Sequence, residues 1–383
     1  MVEKPKNKKS ITRKLISVAF SVVSLGIISY IAITLISGRE LRLPRLAGVF
    51  ASRAPAEVVS EYHFNVGRNR VLVNLGDAVA AVGSLGVQVL DLGGSETLRD
   101  PYRMSYPAIE TAGGRAIAFD VGGTSLRVFD REHVLTAFET NAAIVSASIN
   151  PNGWFLVCSQ EGGVFRGSVT VYNDRGSDVY RVDLASGYVL RAVLSPDNRR
   201  LAILSLTDFG GRIVFYNLDS ETAGHSLELP GDLILDLRFL PGGDLIAVTS
   251  DSLIAIDSSG MDRELYGYFD KRLGAYSIGD SLIALHLLDY GVGHRGRLIT
   301  IGENGRLLGE LTTDREIVSL SAGDTYLAVL GSDGPTLYDS ELDSIPQSDR
   351  SGSAAGAAGI LTLAGGVSIV YGDHTAVVIE AES

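Results

Sequence analysis

Apolar tetrapeptides recur along the chain, each directly after a turn that is rich in glycine, aspartate or asparagine. They begin at residues 79, 116, 155, 201, 245, 282, 327 and 367, so successive units lie 37 to 46 residues apart. A four-stranded propeller blade has a period of about 40–50 residues. The recurrence therefore predicts an all-β fold, an eight-bladed β-propeller, with a seven-bladed propeller as the alternative.

Each unit shows the same order of strands. An A strand leads through a tight turn to the B strand, which contains the tetrapeptide, and a C strand such as SLRVFD follows. The D strand is more polar, as in residues 133–140 and 306–313. Polar outer strands suit a blade edge that meets water, because an exposed apolar edge would pair with other chains.

The two ends of the repeat region are predicted to share one blade. The last unit ends after its C strand, whereas the strand-like residues 57–66 precede the first unit and have no partner of their own. We expect residues 57–66 to supply the D strand of the last blade, because this closure removes the open edges of the ring.

An uncharged segment near the amino terminus predicts a membrane anchor. Residues 15–38 carry no charge, and about 20 apolar residues suffice to cross the hydrocarbon core. Six Lys or Arg residues precede the segment and three follow it, which favours a cytoplasmic amino terminus. The predicted order is a basic cytoplasmic tail (1–14), a single-pass signal anchor (15–38) in the cell membrane, a juxtamembrane stalk (39–56) and an extracytoplasmic propeller (57–383).

Two alternatives bear on the membrane prediction. A cleaved signal peptide would have an apolar run of about 7–15 residues and a small-residue cleavage site, whereas residues 15–38 are longer and are followed by arginines. Residues 351–372 are also uncharged, but six of them are glycine, and a second membrane helix there would remove the eighth repeat. We therefore interpret residues 351–372 as a flexible link and two strands.

Charge separates the amino-terminal segment from the rest of the chain. Residues 1–53 contain ten Lys or Arg and two Glu, a net charge of +8, whereas the remaining residues contain 23 Lys or Arg and 43 Asp or Glu, a net charge of −20. An acidic main domain argues against nucleic acid as a partner, because phosphates require a basic surface. The one cysteine, Cys158, cannot form an intramolecular disulfide, and its apolar neighbours favour a buried side chain over a reactive thiol.

Known catalytic and metal-binding motifs are missing from the sequence. The six histidines stand singly, and no HExxH, Gly-x-Ser-x-Gly or phosphate-binding loop occurs, so no catalytic residue, metal site or cofactor is predicted. A propeller can still assemble a catalytic site from single residues of several blades. Enzymatic activity is therefore left open, and binding is favoured.

An acidic residue closes each C strand. We interpret these acids as caps of tight turns, because Asp side chains accept hydrogen bonds from the backbone of the turn. A cation-binding ring is the alternative, although no Asp-rich calcium loop occurs. The acids are Asp91, Asp130, Asp174, Asp219, Asp257, Glu303, Asp339 and Glu380.

The loops between the B and C strands are predicted to be longer in units 3, 4 and 6 than elsewhere. Each of these loops contains an acid, an aromatic side chain, glycines and an arginine. All B–C loops of a propeller lie on one face, and aromatic and arginine side chains often carry interface energy. We hypothesise that they dock a protein partner; the alternative is hairpins with solvated tips. The predicted partner-binding residues are Glu161, Phe165, Arg166, Asp208, Phe209, Arg212, Asp289, Tyr290, His294 and Arg295.

One blade carries a resemblance to a known family. Residues 194–219, with the sequence LSPDNRRLAILSLTDFGGRIVFYNLD, resemble the signature blade of the uncharacterised DUF5711 family of bacterial membrane-anchored propellers. The basic tail, the single anchor and the following propeller match the layout of that family along the whole chain. Because the family has no settled activity, the resemblance implies topology and little chemistry.

These patterns together favour a non-catalytic, membrane-anchored scaffold that docks an envelope or membrane protein in a cell-envelope assembly. One alternative is an envelope hydrolase or lyase that acts on cell-wall or sugar substrates in the propeller channel. Inward-facing acids with a His or Arg at the channel mouth, or a strongly shifted pKa there, would favour this alternative. Another alternative is a ligand-sensing binding module.

Overall fold

The computed structural model describes residues 61–220, 223–230, 232–291, 293–347, 357–363, 366–372 and 375–380. Within these residues, 32 strands form eight four-stranded antiparallel sheets. Eight sheets confirm the predicted eight-bladed propeller and exclude the seven-bladed alternative.

Each blade follows the predicted strand order A, B, C and D from the channel outwards. Blade 1 comprises β2 (Val71–Asn74), β3 (Ala78–Gly83), β4 (Gly86–Asp91) and β5 (Glu96–Pro101). Blade 2 comprises β6 (Pro107–Ala112), β7 (Arg115–Asp120), β8 (Ser125–Phe129) and β9 (Val134–Glu139). Blade 3 comprises β10 (Ile144–Ile149), β11 (Phe155–Ser159), β12 (Gly167–Tyr172) and β13 (Asp178–Leu184). Blade 4 comprises β14 (Tyr188–Leu194), β15 (Arg200–Thr207), β16 (Gly210–Asn217) and β17 (Ala223–Pro230).

The second half of the ring repeats the same plan. Blade 5 comprises β18 (Ile234–Phe239), β19 (Leu245–Thr249), β20 (Ser252–Ile256) and β21 (Asp262–Gly267). Blade 6 comprises β22 (Lys271–Ile278), β23 (Leu282–Asp289), β24 (Gly296–Gly302) and β25 (Leu307–Thr313). Blade 7 comprises β26 (Ile317–Ala322), β27 (Tyr326–Gly331), β28 (Gly334–Asp339) and β29 (Ser344–Ile345). Blade 8 comprises β30 (Gly359–Thr362), β31 (Val367–Tyr371), β32 (Thr375–Glu380) and β1 (Glu61–His63).

The B strands form the core because each blade is covered by a neighbour on both sides. In β19, Leu245 and Ala247 pack in the core that blade 5 shares with blade 4. The alternate residues Ile246 and Val248 pack in the core that it shares with blade 6. A strand with both faces buried has no polar face, which explains why the tetrapeptides are continuously apolar.

The two ends of the repeat region meet in blade 8. Strand β1 is antiparallel to β32, with Glu61 opposite Val377 and His63 opposite Thr375. Tyr62, which is buried, also donates a hydrogen bond of 3.0 Å from its hydroxyl to the backbone oxygen of Leu92 in blade 1. One short strand therefore completes the last blade and joins it to the first. Residues 57–60 of the predicted strand lie outside the described residues.

Five A strands contain a β-bulge near their first residues. The bulged residues are Val145, Leu190, Leu235, Gly274 and Val318, in blades 3 to 7. An extra residue bends a strand and changes the direction of the side chains that follow it. In blades 4 and 5, the residues directly after the bulge are Arg191 and Asp236, which matter for the channel described below.

The turns after the C strands confirm the capping role of the acids for four blades and correct it for three. Asp91 and Asp257, for example, accept hydrogen bonds from backbone N–H groups of their own turns at 2.8 Å. In blades 3, 4 and 6 an asparagine accepts these bonds in place of the predicted Asp174, Asp219 and Glu303. The asparagines are Asn173, Asn217 and Asn304. An amide oxygen is also a hydrogen-bond acceptor, so the acids beside these asparagines are not needed as caps.

The remaining predictions concern the segments outside the repeats and the one cysteine. The predicted tail (1–14), anchor (15–38) and stalk (39–56) lie outside the described residues. Among the residues that the structure does describe, none forms a helix of sufficient length and hydrophobicity to span a membrane. Within 351–372, β30 and β31 are the two expected strands. Cys158 is buried, and burial raises the pKa of its thiol to about 12, consistent with an unreactive side chain.

Candidate functional site

Antiparallel pairing divides the turns of the propeller between two faces. The B–C hairpins and the connections from each D strand to the next A strand lie on one face, which we call the B–C face. The A–B and C–D turns lie on the opposite face, the A–B face.

Exposed apolar side chains are concentrated on the B–C face. Eighteen large apolar side chains are exposed among the described residues, and eleven of them belong to this face. Eight of the eleven come from blades 3 to 6 and the connections between them, and we call these eight the apolar arc. The apolar arc consists of Val164, Phe165, Tyr188, Leu206, Phe209, Leu233, Phe269 and Tyr290. Phe269 (89% exposed) and Phe209 (79% exposed) are the most accessible aromatic rings.

The B–C loop of blade 3 (160–166) is held by its charged residues. Glu161 accepts a hydrogen bond of 2.8 Å from the Ser168 hydroxyl and pairs with Arg181 at 2.9 Å. Arg166 donates to the Tyr188 hydroxyl at 2.8 Å and lies 5.2 Å from the centre of its ring. The contacts of Glu161 hold the loop to blade 3, and the contact of Arg166 holds it against blade 4. Phe165, of the same loop, remains exposed.

The prediction of a long B–C loop in blade 4 is wrong. Only Asp208 and Phe209 separate β15 from β16, and each of these strands has eight residues. Gly210 has a φ of 128°, a conformation open to glycine, which permits a two-residue turn. The hairpin therefore extends as strands, and Phe209 stands at its tip. Arg212 lies within β16 and is 3.6 Å from Glu228, so it is not a loop residue.

In blade 6, the B–C loop (290–295) follows Asp289, the last residue of β23. Lys271 donates a hydrogen bond to Asp289 and lowers the pKa of that carboxyl, and Arg295 lies 3.6 Å from it. His294 Nε2 is 3.8 Å from Glu316, in the connection that leads to blade 7. Tyr290 is exposed. Of the ten predicted residues, three aromatics are therefore accessible, whereas most of the charged residues support the loops.

A cavity of about 310 Å³ lies beside the blade 3 loop. It is lined by the end of β9 and the residues after it, and by β11, β12 and β13 of blade 3. Glu161, Ser168 and Arg181, which hold the loop, are part of its wall. The cavity therefore lies between blades 2 and 3, with one end beside the loop that carries Phe165.

The central channel contains a second cavity, of about 620 Å³, that is lined by residues of all eight blades. In this channel, polar side chains of one A strand form hydrogen bonds with the backbone of the A strand in the next blade. Such bonds join Ser148 Oγ to Ala192 O (2.9 Å), Arg238 Nη1 to Ile278 O (2.8 Å) and Ser321 Oγ to Thr362 N (2.9 Å). The channel wall thus contains polar groups that also hold neighbouring blades together.

Arg191 lies at the centre of an ionic cluster in this channel. Its guanidinium is 2.8 Å from Glu110 of blade 2 and 2.9 Å from Asp236 of blade 5. The Tyr276 hydroxyl, from blade 6, is 3.4 Å from the other oxygen of Asp236. The cluster therefore joins four blades by side chains alone.

Burial and neighbouring charges shift the pKa values in this cluster. Burial raises the pKa of Asp236, and the attraction of Arg191 offsets only part of this effect. Burial opposes the charged form of Arg191, but Glu110 and Asp236 raise its pKa above the usual value, so it stays protonated. Burial also raises the pKa of Tyr276, with a further contribution from Asp236.

The channel cluster is not among the predicted site residues, although inward-facing acids with a His or Arg at the channel mouth, or a strongly shifted pKa there, are the features expected to favour the enzymatic alternative. In the structure both carboxylates pair with Arg191, and burial raises the pKa of Asp236. Among the described residues, no group of three or more His, Cys, Asp or Glu side chains is arranged to hold a metal. A usable signal did exist: Glu110, Arg191 and Asp236 are charged residues inside innermost strands.

Eight four-stranded sheets around a channel define the class of protein, an eight-bladed β-propeller, and solved structures agree. The C-terminal WD40 domain of Sif2 aligns with a TM-score of 0.53 at 14% identity, over 85% of this chain and 96% of that domain. The β-propeller domain of Myceliophteria thermophila Cps50 (Swd1) aligns with a TM-score of 0.51 at 13% identity, over 72% of this chain and 98% of that one. Identities this low show the fold alone.

The family is shown by the sequence. The model of DUF5711, a family of unknown function, matches residues 53–341. This range is more than half of the chain, and the chain belongs to that family. No curated protein is similar enough in sequence to count as a relative.

Proposed function

We propose that this protein is a non-catalytic scaffold that docks another protein on the B–C face of its propeller. The apolar arc is the observation that carries the proposal. Exposed apolar side chains that are gathered on one face of a soluble domain often mark a site for a partner. Aromatic side chains at the centre of an interface carry much of its binding energy.

The charged residues around the apolar arc support the same function. Arg166, Asp289 and Lys271 hold their loops through hydrogen bonds within the propeller. A loop that is already ordered loses less conformational entropy when a partner binds. The aromatic side chains of these loops are therefore presented on a largely preformed surface.

The location of the protein is a second part of the proposal. Residues 15–38 anchor the chain in the cell membrane with the amino terminus in the cytoplasm, and the propeller is extracytoplasmic. The uncharged run and the excess of positive charge before it support this arrangement. The partner is then an envelope or membrane protein, and the complex is part of a cell-envelope assembly.

Crosslinking of the tagged full chain in native membranes, followed by affinity purification, tests the docking function. The test variant carries Phe209→Ser, Phe269→Ser and Tyr290→Ser. The control variant carries Val179→Ser, Met261→Ser and Leu307→Ser, which are exposed apolar residues of the outer D strands and C–D turns. We expect one stoichiometric partner with the wild type and the control, and its loss with the test variant. Recovery of the partner at wild-type yield with the test variant would contradict the proposal.

Protease treatment of spheroplasts tests the location. Protease added outside should digest the propeller of the full chain, and the chain should stay in the membrane fraction. A chain that begins at residue 53 should leave that fraction. A full chain that resists external protease until the membrane is dissolved would overturn the proposed location.

A further inference from the structure

The central channel contains a cavity whose wall carries a net negative charge. Its cavity of about 620 Å³ is lined by the A strands and A–B turns of every blade. Six charged side chains belong to its wall, four acidic and two basic. They are Glu110, Arg191, Asp236, Arg238, Asp280 and Asp324. No Lys or His is among the described residues that line it, so the wall has a net charge of −2.

Both arginines of the wall are already engaged. Arg191 pairs with Glu110 and Asp236, as described above. Arg238 donates to the backbone oxygen of Ile278 at 2.8 Å and pairs with Asp280 at 3.0 Å. The charge of each guanidinium is therefore balanced by at least one carboxylate, whereas Asp324 has no ion-pair partner among the described residues. The excess charge favours a cation.

The placement of the acids argues against a bare metal ion and favours an extended ligand. Hard cations require several oxygen ligands within about 2.0–2.6 Å of one point, and no cluster of three candidate ligands exists among the described residues. The acids instead come from blades 2, 5, 6 and 7, around the wall of the cavity. A ligand that meets more than one of them needs several positive groups on one flexible chain.

We infer that the central channel is a binding site for a small organic cation with two or more ammonium groups, such as a linear polyamine. Each ammonium group has three N–H donors and pairs with a carboxylate as a compact charge. Asp324 and the second oxygen of the Glu110 carboxylate accept these donors, and Asp236, whose two oxygens already contact Arg191 and Tyr276, adds its negative charge to the wall. The Thr111 and Ser277 hydroxyls, which also line the cavity, provide further acceptors. The inference is independent of the docking proposal, because the apolar arc lies outside this cavity.

Calorimetric titration of spermidine into the purified full chain in detergent micelles tests this site. We expect saturable binding of one spermidine per chain, weakened at high salt because the attraction is ionic. Citrate, an anion of similar size, should give no saturable heat. An absence of saturable spermidine binding at low salt would overturn the inference.

Three variants place the binding in the channel. The double variant Glu110→Gln, Asp236→Asn should weaken spermidine binding by about tenfold, and Asp324→Asn by about threefold, as expected for partly exposed ion pairs. Asp178→Asn, on the exposed outer strand β13, is the matched control and should bind as the wild type does. Because Asp324→Asn leaves the Arg191 cluster intact, it remains decisive if the double variant does not fold. Wild-type affinity in Asp324→Asn, together with unchanged affinity in any folded double variant, would overturn the inference.

Discussion

The B–C face and the central channel are built from the same strands and follow opposite chemical rules. On the B–C face, large apolar side chains such as Phe209 and Phe269 are exposed to water. In the channel, polar side chains such as Ser148 and Arg238 bond to neighbouring blades. The fold therefore depends on the polar groups of the channel but makes little use of the apolar side chains of the face. Substitutions on the face should affect binding, and those in the interior should affect stability.

The largest effect is expected at the closure of the ring. Tyr62→Ala should lower the free energy of unfolding by about 3–5 kcal/mol, because it removes a fully buried aromatic side chain. The same substitution at Tyr106, which is 68% exposed on the B–C face, should change it by less than about 0.5 kcal/mol. Urea unfolding of the two variants measures the difference. Equal losses in the free energy of unfolding would contradict the view that interior side chains stabilise the fold and those of the B–C face do not.

A pH effect of similar size is expected at His286, which is buried in β23 below the blade 6 loop. Burial, followed by the charge of Arg272, lowers the pKa of His286 from 6.5 to about 4. Between these values the unfolded state binds more protons than the native state, so the free energy of unfolding falls as the pH falls. Above pH 6.5 His286 is neutral in both states and costs the native state nothing. By pH 4 its protonation in the unfolded state lowers the free energy of unfolding by about 3 kcal/mol.

Urea unfolding between pH 7 and pH 4 checks this effect. His286→Leu should have a shallower pH dependence than the wild type over this range. His133→Leu, at a histidine whose side chain is 72% exposed, is the control and should keep the wild-type dependence. Parallel curves for the wild type and His286→Leu would show that this histidine does not control the response.

The channel cluster should give a smaller loss. Arg191→Met leaves Glu110 and Asp236 without their shared partner and should cost about 2–3 kcal/mol, less than for a fully buried pair because the cluster is partly exposed. Adding Glu110→Gln and Asp236→Asn to Arg191→Met should recover part of the loss. Arg99→Met breaks the exposed pair with Glu96 and should cost less than about 1 kcal/mol. Unfolding curves that coincide for Arg191→Met and Arg99→Met would contradict a special role of the channel.

The smallest effect on stability is expected on the apolar arc. Phe209→Ser, Phe269→Ser and Tyr290→Ser should each change the free energy of unfolding by less than about 0.5 kcal/mol. Thermal unfolding measures this directly. A loss of more than about 2 kcal/mol for any one of them would mean that the side chain supports the fold and is not available for a partner.

The repeat architecture was predictable because its signal is local. The B strands are buried on both faces, so each left a continuous apolar run in the sequence. The closing strand was predictable because Tyr62 and its neighbours had no other strand to pair with before the first unit. The blade 4 hairpin was mispredicted because Gly210 and Gly211 suggested a loop, whereas their backbone freedom permits a tight turn between long strands.

The channel cluster was not predictable from spacing. Glu110 and Arg191 are 81 residues apart in the sequence, and only the closed ring brings them to 2.8 Å. Bulges at Leu190 and Leu235 then set the direction of Arg191 and Asp236. A propeller thus reveals its strands through local pattern, whereas its channel chemistry depends on which side chains the ring brings across from different blades.

The pairing of β1 with β32 has a consequence for biosynthesis. Glu61 is made early, but its partner, Val377, emerges more than 300 residues later. During translation the nascent blades can stack in order, yet the first blade keeps one uncovered apolar side until blade 8 is made. Such a surface is prone to aggregation while it is open. Ribosome-bound chains that stop before residue 375 should therefore recruit chaperones, and release from them should coincide with synthesis of β32.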